Sequence, residues 1–155
     1  MNTDIQNRMV HINGNLEINA ELTISNSTLL ISADSRLNIN SSLSLNDVTI
    51  WSNCGGGMWD GIHVPAGGTL NLTGSGINDA LVALEISSTD VTTNDSYIRS
   101  NCDVGIVVTG SGVQDGTGLN GVEITNMAIG SPSFTNNATV FFKYPSEQLH
   151  IEVLW

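Results

Sequence analysis

Positive charge is what this chain has least of. Only Arg8, Arg36, Arg99 and Lys143 carry it, against 15 aspartates and glutamates, for a formal net charge of −11 at pH 7. Nucleic acids and anionic lipid surfaces are held by basic patches, so no nucleic acid and no membrane is expected as a partner. Charge of either sign is sparse, at 12% of residues, about half the usual share. Aromatic residues make only 5%, and the two cysteines, Cys54 and Cys102, have no zinc-binding spacing. No metal and no cofactor is therefore expected. No apolar run approaches the ~20 residues of a membrane-spanning helix. Met1-Asn2-Thr3-Asp4 shows no signal peptide. The composition is nevertheless that of a secreted or cell-surface protein, and the sequence is read as a mature or trimmed form.

In place of charge the chain carries Asn, Ser, Thr and Gly, with 18 asparagines and 16 glycines. These residues disfavour helices, because Asn, Ser and Thr bond to nearby backbone and Gly costs backbone entropy. They suit short strands joined by many turns. Hydrophobic content is 40%, ample for a continuous core. From residue 10 to 51 the apolar residues come in alternating pairs: Leu16/Ile18, Leu22/Ile24, Leu37/Ile39, Leu43/Leu45 and Val48/Ile50. A polar residue separates the members of each pair and a polar turn follows. Period-two alternation marks strands with one face inward. A repeat of about six or seven residues is too short for the hairpins of an ordinary sandwich, but it suits a solenoid with three short strands per coil. The predicted fold is all-β, a right-handed parallel β-helix of about six coils.

Two larger blocks align. Ile50-Trp51-Ser52-Asn53-Cys54 leads to Gly61-Ile62-His63-Val64, and Ile98-Arg99-Ser100-Asn101-Cys102 leads to Gly105-Ile106-Val107-Val108. With coils of roughly 20–25 residues, the blocks are two coils apart, and coil starts are placed at residues 8, 27, 48, 77, 97 and 122. Leu22, Ile24, Leu37, Ile39, Leu43, Leu45, Ile62, Val64, Leu70, Leu72, Ile106 and Val108 are expected in the core. Equivalent positions two coils apart lie ~9–10 Å apart, beyond the ~7 Å limit for a disulfide. Cys54 and Cys102 are thus expected as buried free thiols. The Ser-Asn pairs at 25–26, 52–53 and 100–101 suit either side-chain ladders between coils or left-handed turns, which Asn tolerates.

Residues 134 to 155 differ from the rest. They hold all three phenylalanines, Phe134, Phe141 and Phe142, with Tyr144 and Trp155. Leu149, Ile151 and Val153 alternate as a strand. The solenoid is therefore assigned to residues 1–133 and the tail to 134–155. A solenoid end is an open sheet edge, so the tail is read as a C-terminal cap or as a strand that joins a neighbouring subunit. In the second case Phe141, Phe142, Tyr144, Leu149, Ile151, Val153 and Trp155 form the assembly surface.

One series of residues is recognisable. Met58-Trp59-Asp60-Gly61-Ile62-His63-Val64 is followed by Gly67-Gly68-Thr69-Leu70 and Ile77-Asn78-Asp79-Ala80. It resembles a run found in large secreted β-helix proteins of Bacteroidetes-type bacteria, relatives of the pectin-lyase-like fold, many of them type IX secretion substrates. The resemblance spans roughly residues 10 to 126. It implies the architecture and says little about activity. Within the motif, Gly61 allows a sharp turn into a strand, and Ile62 and Val64 point inward. Trp59 is read as packing, or with Trp51 as a platform for stacking sugar rings.

Catalytic β-helices of this kind act on acidic polysaccharides through Arg or Lys, calcium-binding aspartates or paired carboxylates. Here a site has only Arg99, flanked by Asp90, Asp95 and Asp103, with His63 two coils away. Isolated surface charges are the plainer reading. His11 and His63 are expected on outward strand positions. Gly110 to Gly118 faintly resembles a calcium-binding Gly/Asp repeat, but one imperfect copy is weak evidence and a protruding loop is the plainer reading. The expected function is a non-catalytic extracellular solenoid with a structural or adhesive role, self-associating end to end. A polysaccharide-binding or polysaccharide-degrading protein is the alternative. Ice binding ranks last, because threonines recur at no one register in the sequence.

Overall fold

A computed structural model describes residues 3–53, 57–87, 90–94, 96–99, 104–108, 122–124, 128–129 and 139–142. Cys54, Asp95, Cys102, Asp103, the Gly110–Gly118 segment, Tyr144, Leu149, Ile151, Val153 and Trp155 lie outside these residues.

The described chain is all strand. The first turn consists of β1 (Thr3–Gln6), β2 (Met9–Ile12) and β3 (Leu16–Ile18). The second has β4 (Leu22–Ser25), β5 (Thr28–Ile31) and β6 (Arg36–Ile39). The third has β7 (Ser42–Asn46), β8 (Thr49–Ser52) and β9 (Gly61–Val64), and the fourth β10 (Thr69–Thr73), β11 (Gly76–Asn78) and β12 (Val82–Ile86). Beyond these four turns, strands β13 (Asp90–Asn94), β14 (Tyr97–Arg99), β15 (Val104–Val108), β16 (Val122–Ile124), β17 (Ala128–Ile129) and β18 (Thr139–Phe142) extend the stack. Each strand pairs in parallel with the strand three places on, giving three six-stranded sheets: β1-β4-β7-β10-β13-β16, β2-β5-β8-β11-β14-β17 and β3-β6-β9-β12-β15-β18. The fold is a parallel β-solenoid.

The register explains the sequence repeat. Leu22, Leu43, Leu70 and Val91 stack in the first sheet, Leu29, Ile50, Ile77 and Ile98 in the second, and Leu37, Ile62, Leu84 and Ile106 in the third. The expected two-turn offset is therefore seen, from Ile50 through Ile77 to Ile98. The start positions 8, 27, 48, 77 and 97 fall at the second-sheet strands. Position 122 instead opens β16 in the first sheet, because a longer connection precedes it. Ile24, Leu37, Ile39, Leu43, Leu45, Ile62, Val64, Leu70 and Leu72 are buried as expected. Leu22 is only half-buried, since its register partner in the first turn is Thr3 rather than an apolar residue.

The corners use the small polar residues. Asn7, Asn26, Asp47 and Gly74 each follow a first-sheet strand and are left-handed, with φ of 53°, 47°, 54° and 59°. Short polar side chains and Gly tolerate that conformation. Just beyond, buried serines satisfy the backbone of the preceding turn: Ser27 Oγ accepts from Arg8 N–H (3.1 Å), Ser75 Oγ from Val48 N–H (3.1 Å) and Ser96 Oγ from Ser75 N–H (3.2 Å). The Ser-Asn pairs at 25–26 and 52–53 do not form a ladder, because they end strands of different sheets. The asparagine contact between turns lies at another corner, where Asn40 Nδ2 donates to Asn19 Oδ1 (2.9 Å).

Candidate functional site

With the core filled by apolar side chains, function falls to the three outward faces, and alternation gives each a different chemistry. On the first sheet the outward positions are hydroxyls and amides in register. Thr23, Ser44, Asn71 and Thr92 make one row, and Ser25, Asn46 and Thr73 the next. Thr92 Oγ1 donates to Asn71 Oδ1 (2.6 Å), and Asn71 Nδ2 reaches Ser44 Oγ (3.4 Å).

On the third sheet the outward row is Glu17, Asn38, His63 and Glu85. Asn38 Nδ2 donates to Glu17 Oε1 (2.6 Å) and Asn40 Nδ2 to Glu17 Oε2 (2.7 Å). A carboxylate only accepts, so the Asn38 amide must turn its NH2 toward Glu17 and its oxygen toward His63. His63 Nδ1 lies 3.2 Å from that oxygen and therefore carries the proton in this contact. Arg36 Nη1 pairs with Glu85 Oε2 at 3.2 Å, both side chains about a third exposed. Glu17 and Glu85 are three turns apart, ~14 Å along the axis. Paired carboxylates of glycosidases stand ~5–9.5 Å apart, so the row is a side-chain ladder and not such a pair.

On the second sheet the outward residues include Met9, His11, Leu30 and Trp51. Met9 is 65% exposed and Trp51 38%. Tyr97 lies flat on this face: a Cβ on Gly76, its register partner, would fall inside the Tyr97 ring.

Trp59 is not on any face. It is 0% exposed, bridges to Ala80 between strands and donates Nε1–H to Asn78 O at 2.8 Å. Its ring cannot meet a ligand, so the Trp51–Trp59 platform does not form and Trp59 is packing. Among the described residues the members of the grouping around Arg99 fall on different sheets. Arg99 belongs to β14 in the second sheet, Asp90 to β13 in the first and His63 to β9 in the third, because three successive strands of one coil occupy three sheets. Phe141 and Phe142 lie in β18 and pair with Val107 and Val108 of β15, so this part of the tail is the edge strand of the third sheet. Among the described residues no three His, Cys, Asp or Glu side chains come together to hold a metal ion.

Sequence reasoning missed Tyr97 and Met9. Their signal was present only as register: Met9, Thr28, Thr49, Gly76 and Tyr97 occupy one row across five turns. No protein-family model and no curated protein matches the chain.

Proposed function

We propose that this chain is a rigid structural module of an extracellular assembly, continued end to end by stacking of further turns. The observation that supports this is the first turn. Ile5, Val10, Ile12 and Leu16 point inward yet remain only half-buried. Their register partners one turn on, Ile24, Leu29, Ile31 and Leu37, are exposed by 4%, 1%, 0% and 1%. The first turn thus combines an apolar plug with three strand edges, a template for another turn of the same geometry. Such a contact is heterologous and need not close, so it builds rods. At the other end β16, β17 and β18 are the terminal strands of their sheets among the described residues, and β18, which holds Phe141 and Phe142, offers its strand edge as the joining surface. The extracellular setting rests on the resemblance of the 58–80 motif to secreted β-helix proteins and on the charge-poor composition.

Sedimentation velocity over a concentration series tests the reading. The intact chain forms longer species as concentration rises, and Val10→Asp with Ile12→Asp, which places charge at the open plug, stays monomeric with the remaining turns folded by circular dichroism. A wild-type chain that is monomeric at the highest attainable concentration refutes the end-to-end reading.

A further inference from the structure

Against 15 acidic residues in the chain, the second sheet has none among its described residues. β2, β5, β8, β11, β14 and β17 contain no Asp or Glu. The first sheet has Asp4, Asp90 and Glu123, and the third Glu17 and Glu85. On that acid-free face the apolar side chains run along the solenoid axis on consecutive turns. Met9 stands on the first, Leu30 on the second, Trp51 on the third, and Tyr97 on the fifth with its ring over Gly76 of the fourth; Leu30 and Trp51 share the row of His11, and Met9 and Tyr97 the row beside it. Thr28 and Thr49 lie beside them in the Met9–Gly76 row. The exposed Trp51, sharing one face with the exposed Met9 and the Tyr97 ring, makes an apolar surface of the kind that recognition sites use.

We propose that this stripe binds a neutral polysaccharide laid along the solenoid axis, with sugar rings stacked on Trp51 and Tyr97 and sugar hydroxyls bonded to Thr28 and Thr49. Flat aromatic faces suit the apolar C–H faces of sugars. The turn repeat, ~4.8 Å, is close to the length of one sugar unit in an extended glycan, so successive units meet successive turns. Charge selects against the other occupants. An acidic polymer meets a net charge of −11 with no basic cluster to offset it, and a second copy laid alongside brings the same charge again. A wholly apolar partner would leave the threonine hydroxyls without bonds, at a desolvation cost. The inference is independent of end-to-end stacking, which uses the ends of the solenoid and not this face.

The test is depletion of the intact chain from suspensions of cellulose, xylan, chitin and β-1,3-glucan, with pectate as the acidic arm and light scattering of the chain alone as the self-association arm. The expected result is retention on at least one neutral glycan and not on pectate. Trp51→Ala and Thr49→Glu then weaken retention by roughly tenfold or more, with unchanged melting curves, while Thr73→Ala on the first sheet leaves retention intact. Three results each overturn the proposal: no retention on any neutral glycan, retention that survives Trp51→Ala, or a dimer of the chain alone that Trp51→Ala dissolves. Loss of end-to-end association in Val10→Asp with Ile12→Asp should leave glycan retention in place, so the two readings fail separately.

Discussion

Leu45 and Trp59 show two ways in which single residues hold this fold. Leu45 is fully buried between Ile24 and Leu72 of the neighbouring turns. Leu45→Ala removes side-chain carbons from a stack that can close only by shortening the sheet spacing, which its hydrogen bonds fix. We expect a loss of ~2–5 kcal/mol, measured by urea denaturation. Trp59 fills a corner and also bonds the Asn78 carbonyl. Trp59→Phe keeps most of the ring but leaves that buried acceptor unpaired, and should cost ~1–3 kcal/mol by the same measurement. The alternating pairs disclosed the inward position of Leu45. Nothing of that kind located Trp59, since it stands outside the period-two strands and its environment is made by Asp79, Ala80 and Leu81 of the next turn. Gly61 was legible from the motif: its φ of +101° and the Val82 carbonyl on its side-chain side both exclude a Cβ.

At the scale of the strand, each element is stabilised mainly by its neighbours above and below, as in other solenoids. Strands β7, β8 and β9 have a partner on both sides, whereas β1, β2 and β3 are at the end of their sheets, over a half-buried plug. Hydrogen exchange in dilute solution should therefore be faster in β1–β3 than in β7–β9 by more than roughly tenfold, a gap of about 1.4 kcal/mol in opening free energy. Equal protection would mean that the first turn is covered. The outward ladders add less. The Arg36–Glu85 pair spans from β6 to β12 across β9, but with both partners a third exposed it stabilises by no more than ~1 kcal/mol.

For the whole molecule the governing quantity is the charge of −11, which opposes stacking of one rod on another while leaving the apolar contact unchanged. Salt shortens the Debye length from ~30 Å at 0.01 M to ~8 Å at 0.15 M. End-to-end association should accordingly strengthen as salt is added over that range, with sedimentation coefficients rising at fixed protein concentration. Association that weakens with salt would point to ion pairs at the junction instead of an apolar plug.

What the sequence determined by itself was the solenoid: a period of two within strands, a polar corner after each, and a two-coil offset between blocks leave few other ways to bury Leu22/Ile24, Leu43/Leu45 and Leu70/Leu72 together. What only the tertiary structure decided was which outward residues share a face. Turns here differ in length, with 19 residues between Thr3 and Leu22, 27 between Leu43 and Leu70 and 31 between Val91 and Val122, so sequence spacing does not reveal register. Trp51 and Trp59, close in sequence, part company at a corner, one outward and one into the core. Met9 and Tyr97, far apart in sequence, come to lie on one acid-free stripe because parallel stacking carries each strand onto the same sheet every third element.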